Sequence, residues 1–280
     1  MKKDVELKTF AESYPKIEEI KEYKNDFGVG ALGFLKHFYV KVWGSYADYV
    51  ENDLVLYEIF KKGNDEKDFI IEARVAVLDK MYGTRIKAFR KITEIFKKNI
   101  KNDKNNFDSI IEILVNQKKD NGDTERQFYV QAETSFVSKY FHWYNEVNVG
   151  DASPIYDGNV KNGLKKYGSE KNINDIKNLK ISIDDFIGNL GLKGTNRIND
   201  WGSFPRIKNY KSKENNCLYN NVSIYRLVDK FLWLTYKIAE AKSKKNESVN
   251  QDASDKKNKP QIPNEVMQEF NKLMEIIKHS

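Results

Sequence analysis

The fold class follows from the stretch Ser223-Ile-Tyr-Arg-Leu-Val-Asp-Lys-Phe-Leu-Trp-Leu-Thr-Tyr-Lys-Ile-Ala239. Its apolar residues recur at steps of three and four, which places them along one side of an α-helix. Ser223 supplies a hydroxyl suited to capping the first turn of this helix. We expect Asp229, Lys230 and Lys237 to lie largely opposite the apolar side. That side is formed by Ile224, Leu227, Val228, Phe231, Thr235, Ile238 and Ala239.

Helical periodicity also dominates the rest of the chain, whereas alternating strand patterns are scarce. One helix is predicted to begin near Asp65 and to stop at Gly83, a residue suited to the left-handed turn after a helix. Its recurring apolar residues are Phe69, Ile71, Val75, Leu78, Met81 and Tyr82. Residues 126–131 could pass for a short strand, but they fit better as the approach to a helix that contains Lys139. The chain is therefore predicted to be all-α.

The composition limits the class of protein. A chain of 280 residues with 40% hydrophobic residues can bury a sizeable core. The formal charge of +7 gives a basic surface that attracts phosphate backbones. Cys217 is the only cysteine, so an intrachain disulfide is excluded and a reducing compartment is expected. The three histidines are widely scattered, so we expect no zinc or iron–sulfur site and no cofactor.

Three regions are predicted along the chain. Residues 1–241 form a helical body, and residues 242–263 are rich in Lys, Ser, Asn, Asp and Gln, which is typical of a disordered linker. Residues 264–280 form an amphipathic helix that either docks on the body, the interpretation that we favour, or contacts a partner. Because the first residues lack an apolar run and no stretch of about 20 apolar residues follows, we expect neither a signal peptide nor a membrane span. A cytoplasmic, nucleoid-associated protein is expected.

The best candidate for chemistry is the pair formed by Lys139 and Asp157. Lys139 lies in Ser135-Phe-Val-Ser-Lys-Tyr-Phe-His-Trp143, and the interval up to Asp157 is predicted as helix, loop and new helix. Such an arrangement can bring both side chains to one pocket. An amine and a carboxylate suffice, without a metal, to cut the glycosidic bond of a nucleoside through a covalent imine. A lysine on an amphipathic helix is usually solvated, however, and Asp157 can simply cap the helix that begins near Gly158.

Three motifs in the expected order suggest a family. Ser138-Lys-Tyr-Phe-His-Trp143 with Pro154-Ile-Tyr-Asp157 resembles the core of helix-hairpin-helix DNA glycosylases, in the bacterial group similar to 8-oxoguanine DNA glycosylase. Leu78-Asp-Lys-Met-Tyr-Gly-Thr-Arg85 looks like the helix-end signature of that family, and Tyr225-Arg-Leu-Val-Asp-Lys-Phe-Leu-Trp233 is similar to its closing helix. The resemblance implies a helical fold with an active-site cleft, a lysine nucleophile at Lys139 and a partner aspartate at Asp157.

The resemblance also implies a pocket that receives a base flipped out of double-stranded DNA. His142 and Trp143 lie one turn past Lys139 and should border this pocket. Trp143 could stack on the base, and His142 could hydrogen-bond the base or a nearby phosphate. Alternatively, Trp143 and Trp233 pack in the core. The basic residues Arg85 and Lys87 are then ordinary surface charges. The predicted base-pocket residues are His142, Trp143, Asp229 and Trp233, and the predicted DNA contacts are Arg85 and Lys87.

One departure from the family keeps other functions open. Classical members place a Leu-Pro-Gly-Val-Gly hairpin just before the lysine to hold a DNA phosphate, whereas this chain has Glu133-Thr-Ser-Phe136 there. The hairpin that would hold the DNA phosphate is therefore degenerate, or another part of the chain makes this contact. The first hypothesis is a glycosylase and lyase that acts on an oxidised or modified purine. The alternatives are a non-catalytic nucleic-acid-binding module on the same fold and an all-α interaction protein, in defence or regulation, whose terminal helix engages a partner.

Overall fold

Helices account for most of the protein in the computed structural model. The structure describes residues 14–61, 67–83, 89–100, 125–149, 152–168, 173, 176–198, 222–248 and 262–280. Ten α-helices occur in these ranges, so the prediction of a mainly α-helical protein is confirmed. They are α1 (Ile17–Glu22), α2 (Gly30–His37), α3 (Ala47–Lys61), α4 (Asp68–Tyr82), α5 (Phe89–Ile100), α6 (Glu125–Tyr144), α7 (Gly158–Lys166), α8 (Ile176–Asn189), α9 (Ile224–Ser248) and α10 (Asn264–His279).

Short irregular elements complete the described part of the chain. Two π-helices span Phe38–Trp43 and Asn145–Val149. Two antiparallel strand pairs are present, β1 (Lys24–Asn25) with β2 (Gly28–Val29) and β3 (Arg197–Ile198) with β4 (Val222–Ser223). In the ranges that the structure covers, every helix is too short or too polar to pass through a bilayer.

Helix α4 follows its predicted pattern except at one residue. It ends at Tyr82, and Gly83 adopts the left-handed conformation with φ 57° and ψ 35°. Ile71, Val75 and Leu78 are buried, but Phe69 is 63% exposed and does not share their side of the helix. The reason is geometric, because a residue two positions before Ile71 points to nearly the opposite side of a helix.

Helix α9 has the predicted cap and the predicted apolar side. The backbone N–H of Arg226 donates to the Ser223 hydroxyl at 3.1 Å, and the apolar stripe is buried against the other helices. Asp229 and Lys230 are also buried, each with only 5% exposure. The expectation that they lie away from the core is therefore wrong. They are tolerated inside because charged groups from neighbouring helices surround them.

The C-terminal helix packs against the body of the protein. Val266, Phe270, Leu273 and Ile277 of α10 are buried in the same apolar cluster as α2 and α9. The ring of Phe270 meets Phe38 edge-on at 6.5 Å between centroids. The favoured expectation that this helix docks is thus confirmed. Helix α9 continues to Ser248, so residues 242–248, predicted as the start of the disordered linker, are helical, and residues 249–261 lie outside the described ranges.

The buried apolar side chains form two clusters, and the candidate pair lies between them. The first cluster contains residues of α2, α7, α8, α9 and α10, and the second contains residues of α4, α5 and α6 with the end of α3. Lys139 lies on α6 between Val137 and Tyr140 of the second cluster. Asp157 directly precedes α7, whose Val160 belongs to the first. The packing of the two clusters therefore determines the separation of the pair.

Replacing Gly163 with alanine is expected to destabilise the contact between α7 and α9. A Cβ atom at Gly163 would lie 2.9 Å from the backbone oxygen of Leu232, so one helix must shift. Overpacking of this kind typically lowers the free energy of unfolding by about 1–3 kcal/mol. Gly158→Ala on the same helix is the control, because its Cβ would meet no atom within 4 Å. Urea denaturation of both variants measures the difference, and equal stabilities would contradict the close approach.

Candidate functional site

Lys139 and Asp157 come together as the sequence predicts. The Lys139 Nζ atom lies 3.6 Å from Asp157 Oδ2, and the amine donates a hydrogen bond of 2.7 Å to the Ser135 hydroxyl. The side chain of Lys139 is 6% exposed and that of Asp157 is 20% exposed. The pair is therefore largely withdrawn from water, and the carboxylate is its more accessible member.

Two local hydrogen-bond systems fix the geometry of the pair. The Ser138 hydroxyl donates to the Ser135 carbonyl and accepts from the backbone N–H of Tyr156, both at 2.8 Å, which ties the loop before α7 to α6. Asp157 caps α7 by accepting from the Asn159 N–H at 2.8 Å through Oδ1. The capping role anticipated for Asp157 is thus present. It leaves Oδ2 to face the lysine amine.

Burial shifts the protonation equilibrium of Lys139 towards the neutral amine. Burial lowers the pKa of the amine, although the carboxylates of Asp157 and Asp229 oppose the effect, and the charge of Lys230 lowers the pKa further. The amine also lies 5.1 Å from the centre of the Tyr82 ring. A neutral amine carries the lone pair that a nucleophile needs. The sequence predicted Lys139, Asp157 and Asp229 as site residues, but it did not place Lys230 and Tyr82 around the amine.

Asp229 contributes a second carboxyl group to the site. It lies on α9 and is buried, and its Oδ1 atom has no hydrogen-bond partner in the described part of the protein. Burial raises its pKa to about 7, against the lowering effect of Lys230, and the charge of Asp157 adds to the increase. Both protonation states are therefore accessible near neutral pH, so this carboxyl group can give or take a proton.

A buried charge cluster, made of Asp53, Arg226 and Lys230, lies near the site, since the charge of Lys230 acts on both Lys139 and Asp229. Asp53 Oδ2 lies 3.0 Å from an Arg226 guanidinium nitrogen, and Asp53 Oδ1 lies 3.5 Å from Lys230 Nζ. Arg226 also donates to the Tyr39 hydroxyl at 2.9 Å. Sequence reasoning missed Asp53 and Arg226. The sequence feature that could have revealed Asp53 is its place one turn after the apolar Val50, on the side of α3 that is buried.

The predicted pocket residues of α6 lie deep in the core. Trp143 is fully buried, donates to the Tyr82 hydroxyl at 2.9 Å and is covered by the Arg226 guanidinium, 4.2 Å from the ring. His142 is also fully buried, with its Nδ1 atom 2.7 Å from the Ser153 carbonyl oxygen. Burial and the charge of Arg226 lower the pKa of His142 to about 3. Trp143 is therefore a core residue, which was the alternative to base stacking that the sequence left open.

Trp233 lies in a different setting, at the edge of an aromatic group. It is partly buried, 5.1 Å from the ring of Tyr49 and 6.1 Å, edge-on, from that of Trp43. Burial, and then the charge of Asp157, raise the pKa of Tyr49, which places this ring near the candidate pair. The aromatic residues Trp43 and Tyr49 were not recognised from the sequence. Arg85 and Lys87 lie outside the described residues.

The described segment that leads to Lys139, residues 125–138, contains no hairpin. Helix α6 runs without interruption from Glu125 to Tyr144, through the positions 133–136 where the classical family has its glycine-containing turn. The same helix excludes the alternative of a strand at residues 126–131. The hairpin implied by the family name is therefore absent here, because residues 133–136 contain neither the glycine nor the proline that would break a helix.

Comparisons with known proteins leave the family open. No protein-family model, no curated protein and no solved structure matches this chain. The family resemblance thus depends on the three sequence motifs. The described residues contain no cluster of three or more His, Cys, Asp or Glu side chains that could hold a metal ion.

The arrangement has a definite chemical capacity. An amine with a lowered pKa lies beside one carboxylate that is partly exposed and near another that titrates around neutral pH. A neutral amine can attack an electrophilic carbon, a carboxylate can stabilise the positive charge that develops there, and a carboxyl group of raised pKa can move protons. Amine, carboxylate and proton carrier are the groups needed for imine formation at a sugar.

Proposed function

We propose that the protein is a DNA glycosylase with lyase activity, which excises an oxidised or otherwise modified purine from double-stranded DNA through an imine on Lys139. The observation that carries this proposal is the buried Lys139 amine, 3.6 Å from Asp157 and with its pKa lowered by burial. Lys230 is equally buried, but its amine lies 3.5 Å from the buried Asp53 within the charge cluster, whereas the carboxylate beside Lys139 is partly exposed. Withdrawal from water is costly for an ammonium group, and a nucleophilic role accounts for it.

The chemistry assigns a step to each group. The bond between the base and C1′ of the sugar breaks, and Asp157 stabilises the positive charge that forms on the sugar. The neutral Lys139 amine bonds to C1′, and a carboxylate carries one of the two protons of the resulting ammonium group to the departing base. The other proton moves to O4′ as the sugar ring opens, which leaves an imine between Lys139 and C1′. Loss of a proton from C2′ then expels the 3′ phosphate by β-elimination. Water finally hydrolyses the imine and restores the amine.

Two further observations support DNA as the substrate. The net charge of +7 favours association with a phosphate backbone, and the three motifs resemble those of glycosylases. A base inside a duplex must be flipped out before the lysine can reach its sugar, at a cost of a few kcal/mol. The partly exposed aromatic residues Tyr49 and Trp233 lie near Asp157 and offer surfaces for an extruded base.

The uninterrupted helix α6 favours a second candidate, a nucleic-acid-binding module without catalysis. An assay of base release separates the two functions. Purified protein is incubated with a duplex carrying 8-oxoguanine opposite cytosine and with the unmodified duplex. Release of 8-oxoguanine with cleavage of its strand supports the glycosylase. Binding that weakens steeply with salt, without release of this or other modified purines, contradicts the glycosylase and supports the binding module.

Asp157→Asn is expected to slow base release by about a hundredfold or more, since the variant cannot stabilise the developing charge or accept a proton. Asparagine caps a helix as well as aspartate does, so the cap of α7 remains. Asp157→Ala is the matched variant, because it loses both the carboxylate and the cap, at about 1 kcal/mol of stability. Single-turnover kinetics and urea denaturation measure the two effects. A wild-type rate in Asp157→Asn would show that Asp157 is only a cap.

A further inference from the structure

Helix α7 begins directly after Asp157 and carries charge of one sign only. It contains Lys161, Lys165 and Lys166 and no acidic residue. Helix α3, whose Tyr49 lies close to Asp157, has the opposite character. Its charged residues are Asp48, Glu51, Asp53, Glu58 and Lys61. A DNA backbone that approaches Asp157 is therefore attracted by α7 and repelled by α3.

Two of the α7 lysines form a row that starts at the candidate pair. Asp157, Lys161 and Lys165 follow one another at steps of four residues, which places them along one side of the helix. Each step advances the helix by about 6 Å, close to the separation of successive phosphates on one DNA strand. The side chain of Lys165 is exposed and that of Lys161 is partly exposed. The row therefore runs along the protein surface, from the more accessible member of the pair.

The amine of Lys161 is positioned by an aromatic ring. It lies 4.2 Å from the centre of the ring of Tyr156, a buried residue whose backbone N–H donates to the Ser138 hydroxyl. A cation–π contact of this kind restricts the amine without neutralising it. In the part of the chain that the structure describes, neither Lys161 nor Lys165 forms an ion pair, and Asp157 faces Lys139 instead. Both positive charges are therefore available to an anion from outside.

We propose that Lys161 and Lys165 bind successive phosphates of the DNA strand whose sugar reaches Lys139. This inference rests on the proposed function. Helix α7 then makes the phosphate contact that residues 133–136 cannot make, because their backbone N–H groups lie inside the continuous helix α6. Lysine suits this role, since it is a point charge on a flexible stem that holds the backbone without reading the sequence.

Binding of a duplex that carries a tetrahydrofuran abasic-site analogue tests the contact. The analogue has no hydroxyl at C1′ and forms no imine, so binding is measured apart from chemistry. We expect Lys161→Gln and Lys165→Gln each to weaken binding about threefold to tenfold at physiological salt. Each should also reduce the slope of log affinity against log salt concentration by about one, the share of one phosphate contact. Lys161→Arg keeps the charge and should keep the wild-type slope.

Lys272→Gln on α10 is the control, since it removes the same charge from the protein. The amine of Lys272 lies 2.6 Å from Glu269, and its side chain is 64% exposed. This variant should bind with the wild-type slope. Wild-type slopes in Lys161→Gln and Lys165→Gln would overturn the inference. Slopes reduced equally in Lys272→Gln would also overturn it, because they would reflect net charge alone.

Borohydride trapping on a natural abasic-site duplex separates this inference from the proposed function. With saturating protein, Lys161→Gln should trap as much DNA as the wild type, because Lys139 is intact and the weaker binding is offset by concentration. A wild-type protein that shows the lysine-dependent slope but traps no DNA would overturn the glycosylase and leave α7 as the phosphate-binding surface of a binding module. A wild-type protein that traps DNA while the lysine substitutions leave its slope unchanged would overturn only the role of α7.

Discussion

Lys139→Gln is expected to reduce base release and strand cleavage by at least about a thousandfold. Glutamine resembles lysine in length and polarity, but its amide nitrogen has no available lone pair and cannot form an imine. The hydrogen bond from position 139 to the Ser135 hydroxyl can survive the change, since the amide also donates. Loss of activity with an unchanged circular dichroism spectrum would therefore report chemistry rather than folding. Single-turnover assays with excess protein give the rates.

A lysine outside the site provides the control for this experiment. Lys237 lies on α9, where its amine is 3.7 Å from Glu240 and its side chain is 33% exposed. Lys237→Gln removes the same charge from the protein and should release base at the wild-type rate. Equal losses in the two variants would indicate a general effect of net charge on DNA binding. A Lys139→Gln protein that still releases base would refute the nucleophilic role.

Asp53→Asn is expected to lower the free energy of unfolding by about 3–5 kcal/mol, which is the typical cost of removing one partner from a buried ion pair. The substitution leaves Arg226 and Lys230 inside the protein without the carboxylate that lies 3.0 Å and 3.5 Å from their nitrogens. Desolvation of two cations is then poorly compensated. Urea denaturation at neutral pH measures the loss. This prediction depends only on the fold and holds whatever the protein does.

The matched control lies on the same helix. Glu58 of α3 is 3.9 Å from Lys61, and both side chains are about half exposed. Because water screens this pair, Glu58→Gln should change the free energy of unfolding by less than about 1 kcal/mol. Similar effects of the two substitutions would contradict the central place of the buried charge cluster. Asp53→Leu removes the charge and also changes the shape of the side chain. Comparison with Asp53→Asn, which keeps the shape, tells whether shape or charge explains a large loss of stability.

The features that the sequence predicted correctly depend on local chemistry. The hydroxyl of Ser223 caps α9, Gly83 ends α4 in the left-handed conformation, and Asp157 caps α7. Each of these requires only residues within a few positions of one another. The approach of Lys139 to Asp157 was also predictable, because a helix followed by a short loop and another helix restricts where the two side chains can meet.

The features that the sequence did not reveal depend on contacts between distant segments. Lys230 looks like a surface residue on α9 until Asp53, far away on α3, is placed beside it. Trp143 looks like a candidate stacking platform until Arg226 is found to cover its ring. Residues 133–136 resemble a lost hairpin only by comparison with other proteins, whereas in this chain they continue a helix. Tertiary packing determines the first two features, whereas the continuous helix at residues 133–136 follows from the local lack of glycine and proline.

The location of the covalent adduct decides whether Lys139 is the nucleophile. The protein is mixed with an abasic-site duplex, reduced with borohydride and digested, and the peptides that carry the sugar remnant are sequenced by mass spectrometry. We expect one modified residue, Lys139, although lysines are abundant throughout the chain. An adduct distributed over other lysines, or no adduct at all, would contradict this role of Lys139.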